Sequence, residues 1–478
     1  MRRLGSVVPM LLLAVFFVAP QLRAQAPQPV APSPEMIQLG NEATNWLQDL
    51  IRINTTNPPG NELAAAKYIG GILDKEGIHY ETFETAPGRG FIVARLSSTP
   101  VPDPSRALLL MGHLDVVGVD RSKWTVDPFG GVISGGYLYG RGAVDDKAMT
   151  VANLATLIEL KRTNAHLNRD VIFLAEPDEE DGGTQGMQVI VDKYWDKIAA
   201  GFAINESGQV ALNNGKVQYV GVQVSEKVAA NVDVIAKGTS GHASIPLKDN
   251  PVAHLAAAIT KISAYEPPVE FDSVTRAYFE TLSTVEEEDI AKWMKVLETP
   301  DRGDHAARII SDDNPVWGAM IHDTISPTML EAGVRNNVIP AEAKAVLNIR
   351  LLPGDSLQVM LEKLTSLVND PEISFQVEPG TSEPAPSSSV TSDLYQAITH
   401  AAATEFPGVP VTPYLSTGAT DSSFLRERNV QAYGLLPFPL TEADRLTMHA
   451  DNERIPVDSF HKGIDFLYNV VSDFAVEK

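Results

Sequence analysis

The stretch ALLLMGHLD at residues 107–115 indicates the fold most directly. Its first half is a short apolar run, typical of a strand that is buried on both faces of a sheet. His113 and Asp115 follow where such a strand ends. Because residues i and i+2 of an extended chain point to one side, His113 could bind a metal ion while Asp115 orients its ring. Taken alone, His-x-Asp is frequent by chance, and a structural role is the simpler interpretation.

The chain around this stretch alternates strands with helices. Apolar runs that fit strands lie at 170–175 and 202–205, and helical periodicity is found at 35–52 and 147–161. This order predicts an α/β fold, in which a mixed sheet is flanked by helices. The pattern of apolar and polar residues changes near Val217, where alternating strands and two helices predict a small inserted α+β domain.

Composition narrows the classes of function. The chain has 61 acidic residues against 38 basic ones, a formal net charge of −23. This balance argues against nucleic acid and anionic membrane surfaces as partners. The chain contains no cysteine, which excludes disulfides, thiol nucleophiles and cysteine-rich zinc sites. Any metal ion must therefore be held by histidines and carboxylates.

Four later clusters supply such groups. Asp145 follows a Gly-rich loop that opens a helix, and the acidic run AEPDEEDGG at 175–183 contains Glu179 and Glu180. Glu206 closes the short strand at 202–205, and His449 lies in a late polar loop. Each has a simpler alternative when taken singly: Asp145 could be a helix N-cap, and the acidic run could be an exposed, solvated loop.

Taken together, these side chains could hold two metal ions. The carboxyl ends of strands are where an α/β sheet offers a site, and Asp145 would be shared between the ions, each of which would also take one histidine and one glutamate. Nitrogen and oxygen ligands without sulfur suit zinc, and cobalt or manganese could substitute. Two such ions lower the pKa of a bridging water and polarise the scissile carbonyl. Glu179, beside Glu180, is the candidate general base that passes the proton of the water to a leaving nitrogen.

In their order and spacing, these motifs resemble those of the co-catalytic zinc hydrolases. This family contains aminoacylase, acetylornithine deacetylase, succinyl-diaminopimelate desuccinylase, carnosine dipeptidases, and yeast-type and glutamate-releasing carboxypeptidases. The resemblance covers the chain from about residue 35 to the end. It implies that Asp115 partners His113, that Glu179 is the base, and that the Asp145–Asp146 peptide bond is cis. The metal ligands that it implies are His113, Asp145, Glu180, Glu206 and His449.

Three segments outside the metal site also resemble this family. GTSGHASIP at 238–246 resembles the lid motif, in which His242 would reach the active site of a partner subunit and stabilise the oxyanion. NNVIP at 336–340 and NIR at 348–350 resemble the lid segment that binds substrate. Arg350 would pair with a substrate carboxylate there, and Asn337 would assist. STGATD at 416–421 resembles the pocket loop that contains Thr420, with Ala419 where the family has glycine.

Predicted domain boundaries follow from these patterns. Residues 35–216 and 385–478 form the two parts of a catalytic domain, and 217–384 form an inserted lid or dimerisation domain. Its polar, helical stretch at about 273–324 is interpreted as an elaboration of the insert. Residues 1–24 combine Arg2, Arg3, a short apolar run and small residues at a cleavage position, the layout of a secretory signal peptide. Residues 25–34 are a Pro- and Ala-rich linker.

The leading hypothesis is a secreted or periplasmic dizinc hydrolase that cleaves a peptide or N-acyl amide bond next to a free carboxylate. It would be a carboxypeptidase or an N-acyl amino acid amidohydrolase, a homodimer through its lid, with no nucleic acid partner and no membrane contact once the signal peptide is removed. Alternatives are a biosynthetic-type deacetylase or desuccinylase, a dipeptidase or aminopeptidase, and a catalytically inactive binding protein. The intact Glu179–Glu180 pair disfavours the inactive protein, and Arg350 with His242 disfavours the aminopeptidase.

Overall fold

A computed structural model of the chain describes residues 32–98, 101, 103–378 and 384–477. The expected signal peptide at 1–24 and most of the expected linker at 25–34 lie outside these ranges. Within them, the longest apolar helices fall short of what is needed to cross a bilayer.

The centre of the fold is a ten-stranded mixed sheet, in the order β1-β2-β6-β3-β7-β17-β9-β8-β18 with β16 beside β9. β3 runs parallel to both β6 and β7, so these three strands end at the same edge. Elements are numbered in chain order. The strands of this sheet are β1 (Tyr80–Ala86), β2 (Arg89–Leu96), β3 (Leu108–His113), β6 (Val171–Glu176), β7 (Phe202–Asn205), β8 (Gln209–Asn213), β9 (Lys216–Glu226), β16 (Val411–Ser416), β17 (Gln431–Gly434) and β18 (Pro439–Leu440).

Helices cover both faces of this sheet. Leu108 and Leu110 of β3 pack into one apolar core, while Leu109 and Met111 pack into a second core on the opposite face. The first face carries α1 (Pro34–Arg52), α2 (Glu62–Lys75), α3 (Lys147–Arg162), α12 (Asp393–Glu405) and α15 (Val457–Ala475). The second face carries α4 (Met187–Lys193), α5 (Trp195–Ile198) and α13 (Ser422–Arg426). This burial of alternate side chains on both faces confirms the predicted α/β fold.

A separate four-stranded antiparallel sheet forms the insert, in the order β12-β14-β10-β15. It has its own apolar core, shared with two helices. A two-stranded ribbon extends from it. The elements are β10 (Val228–Lys237), β11 (Gly241–His242), α6 (Pro251–Ser263), β12 (Thr324–Ala332), β13 (Val338–Ile339), β14 (Glu342–Leu351), α11 (Leu357–Val368) and β15 (Ile373–Val377). The order of strands and helices is that of the α+β domain expected from the sequence.

The insert begins later than the boundary expected at residue 217. β9 pairs with β8, β16 and β17 and is therefore a strand of the large sheet. The chain passes to the insert at Lys227, between β9 and β10. Its buried ammonium group donates to the carbonyl oxygens of Ala319 (3.0 Å) and His322 (2.6 Å), which ties this crossing to the segment that leads into β12.

The helical stretch expected at 273–324 packs on the large domain and is not an elaboration of the insert. Its helices are α7 (Ser273–Val285), α8 (Glu288–Met294), α9 (Gly303–Asp313) and α10 (Pro315–Ala319). α7 lies against β9 and β16, and Tyr278 and Leu282 are buried in the same core as Tyr219. The polar composition of the stretch belongs to the outer faces of these helices, and their apolar residues complete the core of the large domain.

Three short strands and a short helix surround the site edge of the large domain. β4 (Val132–Ser134), β5 (Tyr137–Tyr139) and β19 (Arg454–Pro456) form a small sheet. α14 (Glu442–Arg445) precedes β19, and 3₁₀ turns lie at Arg121–Lys123 and Glu179–Asp181. The second of these turns carries two of the residues singled out by the sequence.

Candidate metal centre

Parallel strands bring the predicted ligands to one edge of the large sheet. His113 is the last residue of β3 and is paired with Glu176, the last residue of β6. Glu206 directly follows β7, whose strand is also parallel to β3. Asp145 lies two residues before α3. His449 lies in the loop between α14 and β19, in a left-handed conformation with φ of 58°.

Asp145 lies between the two histidines and turns one carboxylate oxygen to each. Its Oδ1 is 3.0 Å from His113 Nε2, and its Oδ2 is 3.0 Å from His449 Nε2. His449 Nε2 also lies 3.0 Å from Glu180 Oε2, and His113 Nε2 lies 3.9 Å from Glu206 Oε2. All five predicted ligands thus meet in two sets that share Asp145. Their nitrogen and oxygen donors form the arrangement that two cations could occupy.

The electrostatics of this cluster fit bound cations. Burial raises the pKa of Glu179 and that of Glu206 well above the usual range, and neighbouring carboxylates add to the rise at each. Glu180 Oε1 is buried and has no hydrogen-bond partner among the described residues. Carboxylates that are removed from water without a partner are costly. Cations would relieve both the repulsion and the lost solvation, and this donor set therefore fits them.

Asp145 and the acidic run do not follow their simpler interpretations. The N-cap of α3 is Asp146, whose side chain makes no capping bond, and the Asp145 carboxylate faces the histidines. Within the acidic run, Glu176 and Asp178 are buried, and only its end at Asp181 is exposed. The Asp145–Asp146 peptide bond is cis, as the resemblance implied.

The Asp115 carboxylate holds the turn that carries Glu179 and Glu180. Its Oδ1 accepts the backbone N–H of Glu179 (3.2 Å), and its Oδ2 accepts that of Glu180 (3.1 Å). His113 Nδ1 lies 3.0 Å from the Asp115 backbone oxygen and 3.4 Å from the carboxylate. The backbone oxygen of Asp115 therefore makes the shorter contact with the ring, and the Asp115 carboxylate accepts hydrogen bonds from the turn. The spacing of His113 and Asp115 did not predict this second role.

Glu453 is a buried carboxylate that sequence reasoning did not assign. It accepts hydrogen bonds from the Arg141 side chain (2.7 Å) and from the backbone N–H groups of Gly142 (3.1 Å), Val144 (2.8 Å) and Asp145 (3.1 Å). These bonds fix the loop that presents Asp145. Because Glu453 follows His449 by four positions, it also joins the loops that carry these two ligands. The sequence offered one signal for Glu453, its position four residues after His449. An exposed glutamate would fit that position equally well.

Residues expected to bind substrate lie on both domains. Arg350 is in β14 of the insert, and its Nε donates to Asn348 Oδ1 (3.0 Å). Burial lowers the pKa of Arg350, and the negative charges of Glu179 and Glu226 oppose this effect. The charge of Glu179, in the large domain, is thus among those that influence the pKa of Arg350 in the insert.

Thr420 lies in the pocket loop after β16 and is tied to a residue that the sequence did not single out. Its hydroxyl donates to Glu226 Oε2 (2.8 Å), and the same oxygen accepts from Arg426 Nη1 (3.1 Å). Glu226 and Arg426 are both buried, so this ion pair anchors the pocket loop to the end of β9.

His242 and Asn337 lie together on the two-stranded ribbon of the insert. His242 pairs with Val338, and the backbone oxygen of Asn337 accepts the N–H of Ala243 (3.0 Å). The His242 ring is exposed and lies 2.7 Å from the Ser244 hydroxyl. Among the described residues of one chain, its hydrogen bonds do not join it to the metal cluster. The ribbon that carries these two predicted residues therefore lies apart from the metal cluster in the described part of the single chain.

Comparisons with known proteins agree with this geometry. The profile described as Peptidase family M20/M25/M40 matches residues 109–473. The human N-fatty-acyl-amino acid synthase/hydrolase PM20D1 is 30% identical over 379 residues, covering 78% of this chain and 75% of that protein. Probable carboxypeptidase S-like 2 of Dictyostelium discoideum is 28% identical over 376 residues, covering 77% and 72% of the two chains.

Solved structures show the same fold. The M20 family metallo-carboxypeptidase Sso-CP2 of Sulfolobus solfataricus superposes with a TM-score of 0.69 at 22% identity, covering 91% of this chain and 99% of that one. The family match spans more than half of the chain, and the described residues place its acidic and histidine groups in one cluster. The chain therefore belongs to peptidase family M20/M25/M40 and is a hydrolase of the metal-dependent type.

Proposed function

We propose that this protein is a secreted dizinc hydrolase that cleaves a peptide or N-acyl amide bond next to a free carboxylate. The observation that carries the proposal is the pairing of His113 with Glu206 and of His449 with Glu180 around a shared Asp145. The leader pattern of residues 1–24 supports export across a membrane. Zinc is the metal that this donor set suits best, and cobalt or manganese could replace it.

Glu179 is the proposed general base. Two bound cations would supply Lewis-acid activation of the scissile carbonyl and of a water molecule. The Glu179 carboxylate accepts the proton of the attacking water and delivers it to the leaving nitrogen. Its carboxylate lies within 4.8 Å of donor atoms of His113 and Glu206, and the Asp115 carboxylate holds its backbone. The base is therefore presented to the same space as the ligands.

Arg350 is the proposed recognition group for substrate. It lies in β14 of the insert, and the influence of the Glu179 charge on the pKa of Arg350 supports this role. A guanidinium binds a carboxylate through two parallel hydrogen bonds. The names of the human and Dictyostelium relatives, an N-fatty-acyl-amino acid hydrolase and a carboxypeptidase, both describe cleavage beside an amino acid carboxylate. We assign Asn337 and Thr420 as further substrate contacts.

His242 is proposed to act in the active site of a partner subunit. Its ring is exposed on the ribbon of the insert and does not contact the metal cluster of its own chain among the described residues. A second copy joined through the insert would allow this ring to donate to the oxyanion.

The first prediction concerns metal removal. A chelator should abolish turnover, and adding zinc, cobalt or manganese should restore it, because the cations would supply the Lewis-acid activation of the water and the carbonyl. Metal analysis of the restored protein should give about two ions per chain, which is the number of ligand sets. Activity that survives in metal-free protein would exclude the proposal.

The second prediction separates the base from its neighbouring ligand. Glu179→Ala should lower kcat by about two to four orders of magnitude, because only proton transfer is lost, and its metal content should stay unchanged. Glu180→Ala should lose metal as well as turnover. The measurements are steady-state kinetics and metal content of each purified variant.

The exposed Asp181 in the same turn offers a matched control. Asp181→Ala should keep both metal and turnover. Near-normal kcat in Glu179→Ala would show that another group is the base.

The third prediction tests the carboxylate contact. Converting the substrate carboxylate to an amide should lower kcat/KM by about 10–100-fold, the effect of a charged hydrogen bond. Arg350→Lys should cause a similar loss with the acid substrate, since lysine cannot form the bidentate contact. Arg308→Lys, on the exposed face of α9, is the control. Equal rates for the acid and the amide would remove Arg350 from substrate recognition.

The fourth prediction tests the partner role of His242. Glu179→Ala and His242→Ala homodimers should both be nearly inactive. A mixed dimer holds one site with both defects and one with neither, so subunit exchange should restore up to about half of the wild-type activity. Exchange would be verified with two differently tagged chains. If exchange occurs and no activity returns, His242 serves its own chain or has no catalytic role.

A further inference from the structure

The motif NPPGNE at residues 57–62 lies between α1 and α2 and is not used by the proposed reaction. Asn57 and Glu62 are nevertheless buried. Both side chains contact Arg89, the first residue of β2, which is buried as well. A buried guanidinium with a buried carboxylate and a buried amide is costly unless every partner is placed well. This cluster therefore calls for an explanation.

The two terminal nitrogens of the Arg89 guanidinium bind different side chains. Nη1 contacts Glu62 Oε1 at 2.5 Å, and Nη2 contacts Asn57 Oδ1 at 2.6 Å. Nη2 also forms an ion pair with Asp178. Gly60 makes room for the guanidinium: a Cβ at that position would lie 2.1 Å from Nη1, and its φ is 79°. Residues 57–62 thus form the binding site of the Arg89 guanidinium.

Asn57 links the Arg89 guanidinium to the candidate metal centre. Its Nδ2 donates to Asp115 Oδ2 at 2.8 Å and to Asp178 Oδ1 at 3.2 Å. Asp178 is in the left-handed region, with φ of 74°, and its other carboxylate oxygen accepts the N–H of Gln185 at 2.6 Å. Asp115 and Asp178 are the two carboxylates that define the turn: one accepts the N–H groups of Glu179 and Glu180, and the other directly precedes Glu179.

We propose that Asn57 and Arg89 are positioning residues that hold the turn of Asp178, Glu179 and Glu180, and through it the direction of the catalytic carboxylate. This inference rests on the proposed role of Glu179 as general base. A purely structural ion pair would need only the charge of Arg89. Here the side-chain amide of Asn57 instead donates hydrogen bonds to Asp115 and Asp178, the two carboxylates next to the proposed base Glu179. Loosening either carboxylate would shift Glu179 relative to the reacting atoms.

The experiment is a double-mutant cycle of Asn57→Ala with Glu179→Ala, read by kcat, KM and metal content. In the otherwise unaltered protein, Asn57→Ala should lower kcat by about 10–100-fold, the cost of a displacement of about 1 Å. KM should change by less than about threefold, because substrate recognition lies elsewhere. In the Glu179→Ala background, Asn57→Ala should lower the residual kcat by less than about twofold, since the group it positions is already gone.

Asn61 in the same motif is exposed and supplies the matched control. Asn61→Ala should leave kcat unchanged in both backgrounds. Arg89→Lys keeps the charge beside Glu62 and Asp178 but lacks the second terminal nitrogen. It should show the same coupling to Glu179, and it carries the test alone if Asn57→Ala does not fold.

An equal loss from Asn57→Ala in both backgrounds would overturn the inference, because the residue would then act independently of Glu179. Unchanged kcat in Asn57→Ala would overturn it too. A loss of kcat in Asn57→Ala that saturating metal fully restores would do the same, since it would place the effect on the ligand Glu180 of the same turn and not on the direction of Glu179. The underlying function has a separate failure: in that case Glu179→Ala itself would keep near-normal kcat.

Discussion

The main constraint on this structure is the repulsion between several carboxylates that lie close together at a buried edge of the large sheet. Asp145, Glu179, Glu180 and Glu206 meet around two histidines at one edge of the large sheet. A second pair, Glu176 and Asp421, is buried beside them, and burial raises the pKa of Asp421 to about 7. Like charges at such distances repel strongly in a low-dielectric site. The fold must therefore hold each carboxylate by bonds of its own, and cations complete the balance.

Three anchors of similar design meet this requirement. The Asp115 carboxylate holds the turn of Glu179 and Glu180, and the Glu453 carboxylate holds the loop of Asp145. Each of these two anchors is a buried carboxylate that binds backbone N–H groups and also accepts a hydrogen bond from a buried polar side chain. That group is Asn57 for Asp115 and Arg141 for Glu453. The third anchor, Arg89, connects Glu62 and Asp178. The carboxylates at this edge are thus held by buried polar residues that lie outside the predicted ligand set.

The residues proposed to recognise substrate lie on the two sides of Lys227, where the chain passes from the large domain to the insert. Glu226, just before this residue, holds Thr420 of the pocket loop in the large domain. Ala229, two residues after Lys227, is paired with Arg350 on the neighbouring strand of the insert. A short segment of chain therefore connects the residue that holds the pocket loop with the residue that pairs with Arg350. Helix α7 packs against β9 on the large-domain side. The helices that follow it, up to residue 319, contribute to the same apolar core.

The sequence by itself determined the α/β class and the inserted domain, and it predicted the five ligand positions. These follow from local patterns: apolar runs mark strands buried on both faces, and polar residues at their ends mark the site. The resemblance added the expected roles of His242 and Arg350, and it agrees with the role of general base that the residues themselves suggested for Glu179. Only the tertiary structure decided that β9 belongs to the large sheet, that residues 273–319 complete its core, and that Glu453, Asn57 and Arg89 support the site. Glu453 and Asp145, for example, are 308 positions apart. Their contact depends on how distant loops meet, because a buried carboxylate and an exposed one have the same local pattern in the sequence.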